Sequence, residues 1–234
     1  EYTENLSLLT EQLQSELTKR RVKYVTRKER APVKNDLIAI IKRTQNLLRD
    51  DFTFRFDFVG SDRRNMVTYV PQTNIGYDFD VNLEVNDDDC NYTPEKIKFK
   101  IIQALNKVAH KYGYDYAEDS TRVITIKFKD RKNSRILHSC DFAIVNNYTD
   151  EEGHKRQEYI RFNKRQNSYT WEEQPGGYYI LCEKEQWIKD NRHHDELRKL
   201  YLDKKNKNSD LRKHSRSLYA EAVHEICQRY GFYD

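Results

Sequence analysis

Glycine and proline are scarce in this sequence, at 7 and 4 of its 234 residues. Disordered chains are usually rich in both and poor in aromatics. With 17 Tyr and 10 Phe, the chain instead has the means to build a sizeable core. No stretch approaches the roughly 18 consecutive apolar residues of a membrane span, so no membrane partner is expected. No charged-then-apolar leader pattern follows Glu1. The four cysteines (Cys90, Cys140, Cys182 and Cys227) form no CxxC pair. They read as reduced thiols of an intracellular, cytoplasmic protein and not as a disulfide framework. Seven histidines include His193-His194, but neither an HExxH helix nor a Cys/His cluster at zinc spacing occurs, which argues against structural zinc. Hydrophobic residues reach only 37% and charged ones 34%, with a mean hydropathy of −1.02. The 42 Lys+Arg against 38 Asp+Glu leave a net charge of +4, too mild to demand a nucleic-acid partner.

Leu6, Leu9, Leu13 and Leu17 recur at helical spacing and predict a first helix from about Thr3 to Val25. Pro32 is expected to open a second, with Leu37, Ile40, Ile41, Leu47 and Leu48 on its apolar side. At Asp51 the period changes. Phe52, Phe54, Phe56 and Phe58 alternate with Thr53, Arg55, Asp57 and Val59, a strand ending at Gly60-Ser61. Further strands are predicted at Tyr77–Val85, Val123–Phe128 and Ile136–Val145, with a possible extension at Tyr159–Phe162. A helix from Pro94 to near Gly113 lies among them. After Pro175-Gly176-Gly177, helical spacing returns over Glu183–Lys205 and Ser215–Tyr230. The chain thus divides into N-terminal helices (1–50), a mixed-sheet core (51–175) and a C-terminal helical lobe (176–234) packing with the N-terminal helices. The fold class is α+β.

Three strand-borne features follow in order: Gly60-Ser61, Asp78-Phe79-Asp80, and Asp141 within Cys140-Asp141-Phe142. Residues i and i+2 of a strand share a face, so Asp78 and Asp80 stand side by side. Embedded in apolar surroundings, like charges are costly unless compensated. A third carboxylate from a neighbouring strand makes a self-repelling set suited to hard, oxygen-preferring Mg²⁺ or Mn²⁺.

Val59-Gly60-Ser61, then Asp78-Phe79-Asp80-Val81, then Asp141 resembles the nucleotidyltransferase core of the DNA polymerase β superfamily. Trp171-Glu172-Glu173-Gln174-Pro175, Leu197 to Lys205 and Ser215 to Val223 look like downstream segments of the oligoadenylate synthase and cyclic GMP-AMP synthase group. That group includes bacterial antiviral-defence enzymes making cyclic oligonucleotides. The family's small-residue G-[ST] step after Gly-Ser is replaced here by Asn65-Met66. The resemblance implies transfer of NMP from an NTP to a hydroxyl acceptor, with pyrophosphate leaving. Asp78 and Asp80 would hold one divalent ion and, with Asp141, a second, the pair about 3.5–4 Å apart. Asp141 would be the general base. Gly60 would let backbone approach the phosphates and Ser61 would donate to them. Arg63, Arg64, Lys204, Lys205 and Ser215 would contact phosphates, while Trp171, Tyr178 or Tyr179 would either stack a base or pack. Two alternatives stand beside this reading. One is the same chemistry on an RNA end or protein hydroxyl, using basic clusters at Lys19-Arg20-Arg21, Lys127–Lys132 and Arg161–Arg165. The other is a non-catalytic relative that kept the fold.

Overall fold

A computed structural model describes residues 10, 21–71, 73, 75–87, 91–210 and 212–232. They fall into two compact units. One is a sheet unit of residues 24–69 and 73–174; the other runs from Pro175 onward, joined by short segments at 21–23 and 70–71.

Most of the predicted first helix lies outside the described residues. Its expected end does not hold, because Lys23–Tyr24 is extended and the next helix, α1 (Arg27–Leu48), begins just after. It starts five residues ahead of Pro32. Thr26 accepts from the Glu29 N–H at 3.2 Å while Glu29 accepts from the Thr26 N–H at 2.7 Å. This reciprocal cap satisfies two of the donors a helix start leaves open, and outranks proline as the start signal. The helix belongs with the sheet unit, into whose core it sends Leu37, Ile40, Ile41 and Leu48.

Strands β1 (Thr53–Val59), β2 (Ile75–Asn86), β3 (Glu118–Asp119), β4 (Ile124–Asp130), β5 (Arg135–Thr149), β6 (Lys155–Asn163) and β7 (Ser168–Glu173) form one sheet. A one-turn helix α2 (Gly60–Arg63) follows β1, and α3 (Pro94–Ala109) follows β2. The strand order is β1-β2-β5-β4-β3, with β6 paired to the far end of β5 and β7 to β6. Only β2 and β5 run parallel. The period-two patterning puts Phe54, Phe58, Phe79, Val81, Leu83, Cys140, Phe142 and Ile144 on one face, under α1 and α3. Phe79, Val81 and Phe142 are wholly buried, each such side chain stabilising by about 1.5–3 kcal/mol.

At one end of this core His138 stacks on Phe128, with centroids 4.8 Å apart, and its Nδ1 lies 3.2 Å from the Tyr114 hydroxyl. Burial lowers its pKa to about 4. Near β7, the fully buried Lys98 lies 2.7 Å from Asp119 and donates to the Ser120 carbonyl at 2.8 Å. The Tyr169 hydroxyl donates to Asp119 at 2.7 Å, joining α3, β3 and β7. Strand β7 was not anticipated from the sequence, and on it Trp171 packs against the hydrophobic core.

In the other unit the single helix predicted over Glu183–Lys205 is two, α4 (Gly176–Asp190) and α5 (His194–Lys207). Arg192 adopts φ 62°. Its N–H bonds the Lys189 carbonyl at 3.1 Å and the His193 N–H bonds that of Ile188 at 3.0 Å. These two bonds are those of a Schellman stop, with arginine where glycine usually sits. Helix α6 (Ser215–Tyr230) runs as predicted, burying Leu218, Ala222, Val223 and Ile226, and Tyr201 of α5 meets Tyr219 edge-on at 5.6 Å.

Candidate active site

The face of the sheet opposite the core is polar. Register places Arg55 beside Glu84, Asp57 beside Asn82, and Val59 beside Asp80 across β1 and β2. In the parallel pair, Asp78 lies beside Ser139 and Asp80 beside Asp141. In the antiparallel pair of β4 and β5, Thr125 lies beside Asp141 and Lys127 beside Ser139. The three predicted carboxylates therefore occupy adjacent positions on two neighbouring strands.

Each carboxylate is set by a different neighbour. The Ser139 hydroxyl donates to Asp78 Oδ1 in a short bond. The Thr125 hydroxyl donates to Asp141 Oδ1 at 2.5 Å. Asp80 lies against the turn that ends β1: a Cβ added to Gly60 would come 2.2 Å from Asp80 Oδ2. Gly60 also has φ 59°, a conformation that costs an L-residue with a side chain roughly 1–2 kcal/mol. Two independent reasons thus require glycine there.

The electrostatics agree with this crowding. Burial raises the Asp141 pKa, the Thr125 hydrogen bond opposes the rise, and the charge of Asp78 adds to it. The Cys140 thiol, facing the core, is pushed well up by burial and further by Asp141, Asp80 and Asp78. Among the described residues, no three His, Cys, Asp or Glu side chains are drawn together tightly enough to enclose a metal ion. The donor set is nonetheless all carboxylate, the chemistry hard divalent cations take, and each bonded aspartate keeps a second oxygen.

Behind the carboxylates, the turn from Gly60 to Asn65 is anchored by a group the sequence reading passed over. Asp62 is buried and accepts from Arg30 Nε and Lys34 Nζ, both at 2.6 Å. Arg30, also buried, donates further to the Val25 carbonyl at 2.8 Å and Asn65 Oδ1 at 3.0 Å. Desolvation pushes the Asp62 pKa up, but the two cations outweigh it and the net shift is downward. Asn65 takes φ 57°. Asparagine tolerates the left-handed region better than most residues, which accounts for its standing where the resembling family has a glycine.

Ser61 follows Gly60 directly, and its carbonyl accepts the Met66 N–H at 2.8 Å. Arg63 is exposed, 3.6 Å from Asp57, and Arg64 is half-buried. Lys204, Lys205 and Ser215 belong to the other unit. There Lys204 pairs with Glu225 at 2.8 Å and Lys205 donates to the Ser215 hydroxyl at 3.0 Å. Tyr178 and Tyr179 meet edge-on at 5.3 Å. Lys19 and Arg20 lie outside the described residues. In the other basic runs, Lys127 pairs with Glu118, Lys129 and Arg131 with Asp115, and Arg161 with Glu172. Among the described residues, Cys140, Cys182 and Cys227 form no disulfide. No described helix is long and apolar enough to cross a membrane.

No protein-family model matches this chain, and no curated protein does. Its fold, however, is similar to that of the Vibrio cholerae di-nucleotide cyclase DncV, in a variant crystallised with ATP and GTP. The TM-score is 0.59 at 14% identity, covering 86% of this chain and 69% of that one. It is also similar to the STING-associated CdnE c-di-GMP synthase of Capnocytophaga granulosa, with a TM-score of 0.56, 15% identity, and 89% and 63% covered. A second DncV structure, a cyclic AMP-GMP synthase described as a prokaryotic homologue of the cyclic GMP-AMP synthase, gives 0.52 at 15%, with 76% and 60% covered. The chain spans 60–69% of the length of these structures. At this identity the likeness establishes the fold. It is that of the group the motifs resemble, a mixed sheet with flanking helices.

Proposed function

We propose that the protein is a metal-dependent nucleotidyltransferase that moves an NMP unit from an NTP to a hydroxyl acceptor. The observation that carries this reading is the registered set Asp78, Asp80 and Asp141 on β2 and β5, beside the Gly60-Ser61 turn. The cyclic dinucleotide synthases of like fold make a cyclic or linear oligonucleotide the favoured product and a second nucleotide the favoured acceptor. The reduced cysteines suit the cytoplasm.

Asp78, Asp80 and Asp141 would hold Mg²⁺ or Mn²⁺. Two such ions, when bound, would offset the triphosphate charge and acidify the acceptor hydroxyl. The acceptor oxygen bonds to the α-phosphorus while the bond from that phosphorus to the bridging oxygen breaks, and pyrophosphate leaves with that oxygen. Asp141 is the candidate general base for the acceptor proton. Gly60 admits the substrate phosphates close to the backbone, and Ser61 donates its hydroxyl and N–H to them. Arg63 and Arg64 add positive charge next to that turn. Lys204, Lys205 and Ser215 are the phosphate-binding candidates of the helical unit.

The test is incubation of the purified chain with each radiolabelled NTP and Mg²⁺ or Mn²⁺, followed by chromatography. Phosphatase-resistant products that vanish in Asp80→Ala support the reading and identify the base. Full activity in that variant removes the site assignment. Absence of nucleotide binding, even with Mn²⁺, favours the non-catalytic relative.

A further inference from the structure

The polar face of the sheet carries two hydroxyls, each directly opposite a proposed metal-binding carboxylate. Ser139 pairs with Asp78 across the parallel ladder, and Thr125 pairs with Asp141 across the antiparallel one. Both donate to an Oδ1 atom. Ser139 is largely buried and Thr125 half-buried, so solvent competes weakly for either bond. A hydroxyl bonded in this way holds the plane of the carboxylate, favours its ionised form and leaves the second oxygen for another partner.

Without such a bond, an aspartate beside like charges swings away from them. Asp78 is close enough for its charge to raise the pKa of Asp141. Asp80 lies against the Gly60 turn.

We propose that Thr125 and Ser139 are positioning residues for metal binding. Thr125 orients Asp141 and Ser139 orients Asp78, so that their free oxygens can share a divalent cation. The proposal rests on the nucleotidyltransferase reading of the three aspartates. Hydrogen-bonded partners of metal ligands typically contribute 10–100-fold in metal affinity or activity, and two acting on adjacent ligands would set the metal requirement of the site.

The test is a Mn²⁺ titration followed by electron paramagnetic resonance, on the full chain with and without a non-hydrolysable NTP analogue. It compares Thr125→Val, Ser139→Ala, Thr125→Ser, Asp78→Asn and Asp141→Asn. Thr125→Val keeps the branched shape that suits a strand, and circular dichroism confirms the fold. The Mn²⁺ Kd is expected to rise roughly 10–100-fold in Thr125→Val and in Ser139→Ala, with the fold retained. Thr125→Ser, which restores the hydroxyl, returns it close to the parent value. In turnover, the apparent KM for the metal rises. Unchanged Mn²⁺ affinity in the hydroxyl variants, with affinity lost in the aspartate variants, overturns the positioning role alone. Unchanged affinity in the aspartate variants overturns the metal reading as well. If Thr125→Val fails to fold, Thr125→Ala takes its place, and Ser139→Ala tests the second hydroxyl in the same way.

Discussion

Replacing Asp62 by alanine should be the most damaging single change to the Gly-Ser turn, although Asp62 touches none of the three proposed metal ligands. Its side chain is 2% exposed and that of Arg30 3%. With the carboxylate gone, the Arg30 guanidinium keeps the Val25 and Asp62 carbonyls and Asn65 Oδ1 as acceptors, with no counter-charge. A charge stranded in a buried site costs about 3–5 kcal/mol. Lys34, 35% exposed, can turn to water, so its share of the loss is under about 1 kcal/mol. The thermal midpoint of the sheet unit should fall by roughly 6–20 °C. Urea unfolding measures this directly in a Trp187→Phe background, where Trp171 alone reports on the sheet unit. A double Arg30→Leu/Asp62→Leu variant removes both charges and should cost less than Asp62→Ala alone. The sign with pH follows from the lowered Asp62 pKa. Its stabilisation is complete above the unfolded aspartate value near 4 and is lost as pH falls through the lower folded value. A loss under about 1 kcal/mol, or additive costs in the double variant, would refute the reasoning.

Gly60→Ala should lower nucleotide transfer by at least about 100-fold and cost roughly 1–2 kcal/mol of stability, because the new Cβ displaces Asp80 from a residue at φ 59°; steady-state kinetics and urea unfolding check both parts. His138 titrates at about 4 in the fold against about 6.5 unfolded. Its contribution is therefore intact above pH 6.5 and drains away between 6.5 and 4. The full difference corresponds to about 3 kcal/mol, reduced to about 2 by partial solvent access, and His138→Phe should flatten that limb of a urea-midpoint-versus-pH curve. Arg192→Gly should raise the thermal stability of the helical unit by about 1 kcal/mol, since Arg192 pays for a left-handed conformation that glycine adopts freely; an unchanged melting curve would count against the Schellman assignment.

The strands that carry the site were legible because their period of two is written in the residues. Phe54, Phe56 and Phe58 alternate with polar neighbours, and Asp78 and Asp80 interrupt an apolar run at positions that share a face. What the sequence hid is contact across strands. Nothing along the chain relates Thr125 to Asp141 or Ser139 to Asp78, since register is set by packing between strands. Asp62 looked like one more charge in Asp62-Arg63-Arg64, and only the approach of α1 turns it into a buried anchor. The early start of α1 was readable, as Thr26 and Glu29 have capping-box spacing, yet Pro32 was the louder signal. The break between α4 and α5 was not readable, because Arg192 takes the position where glycine would have announced it.

The central claim is that attack falls on the α-phosphorus of an NTP under the direction of Asp78, Asp80 and Asp141. The measurement that reaches it most directly is quantification of phosphate products from each NTP with Mn²⁺, for the parent chain and for Asp80→Asn and Asp141→Asn. The account predicts one pyrophosphate released for each NMP transferred, and loss of both in either variant while the circular dichroism of the fold is retained. Release of orthophosphate with an NDP, or pyrophosphate formation that survives both substitutions, would contradict it.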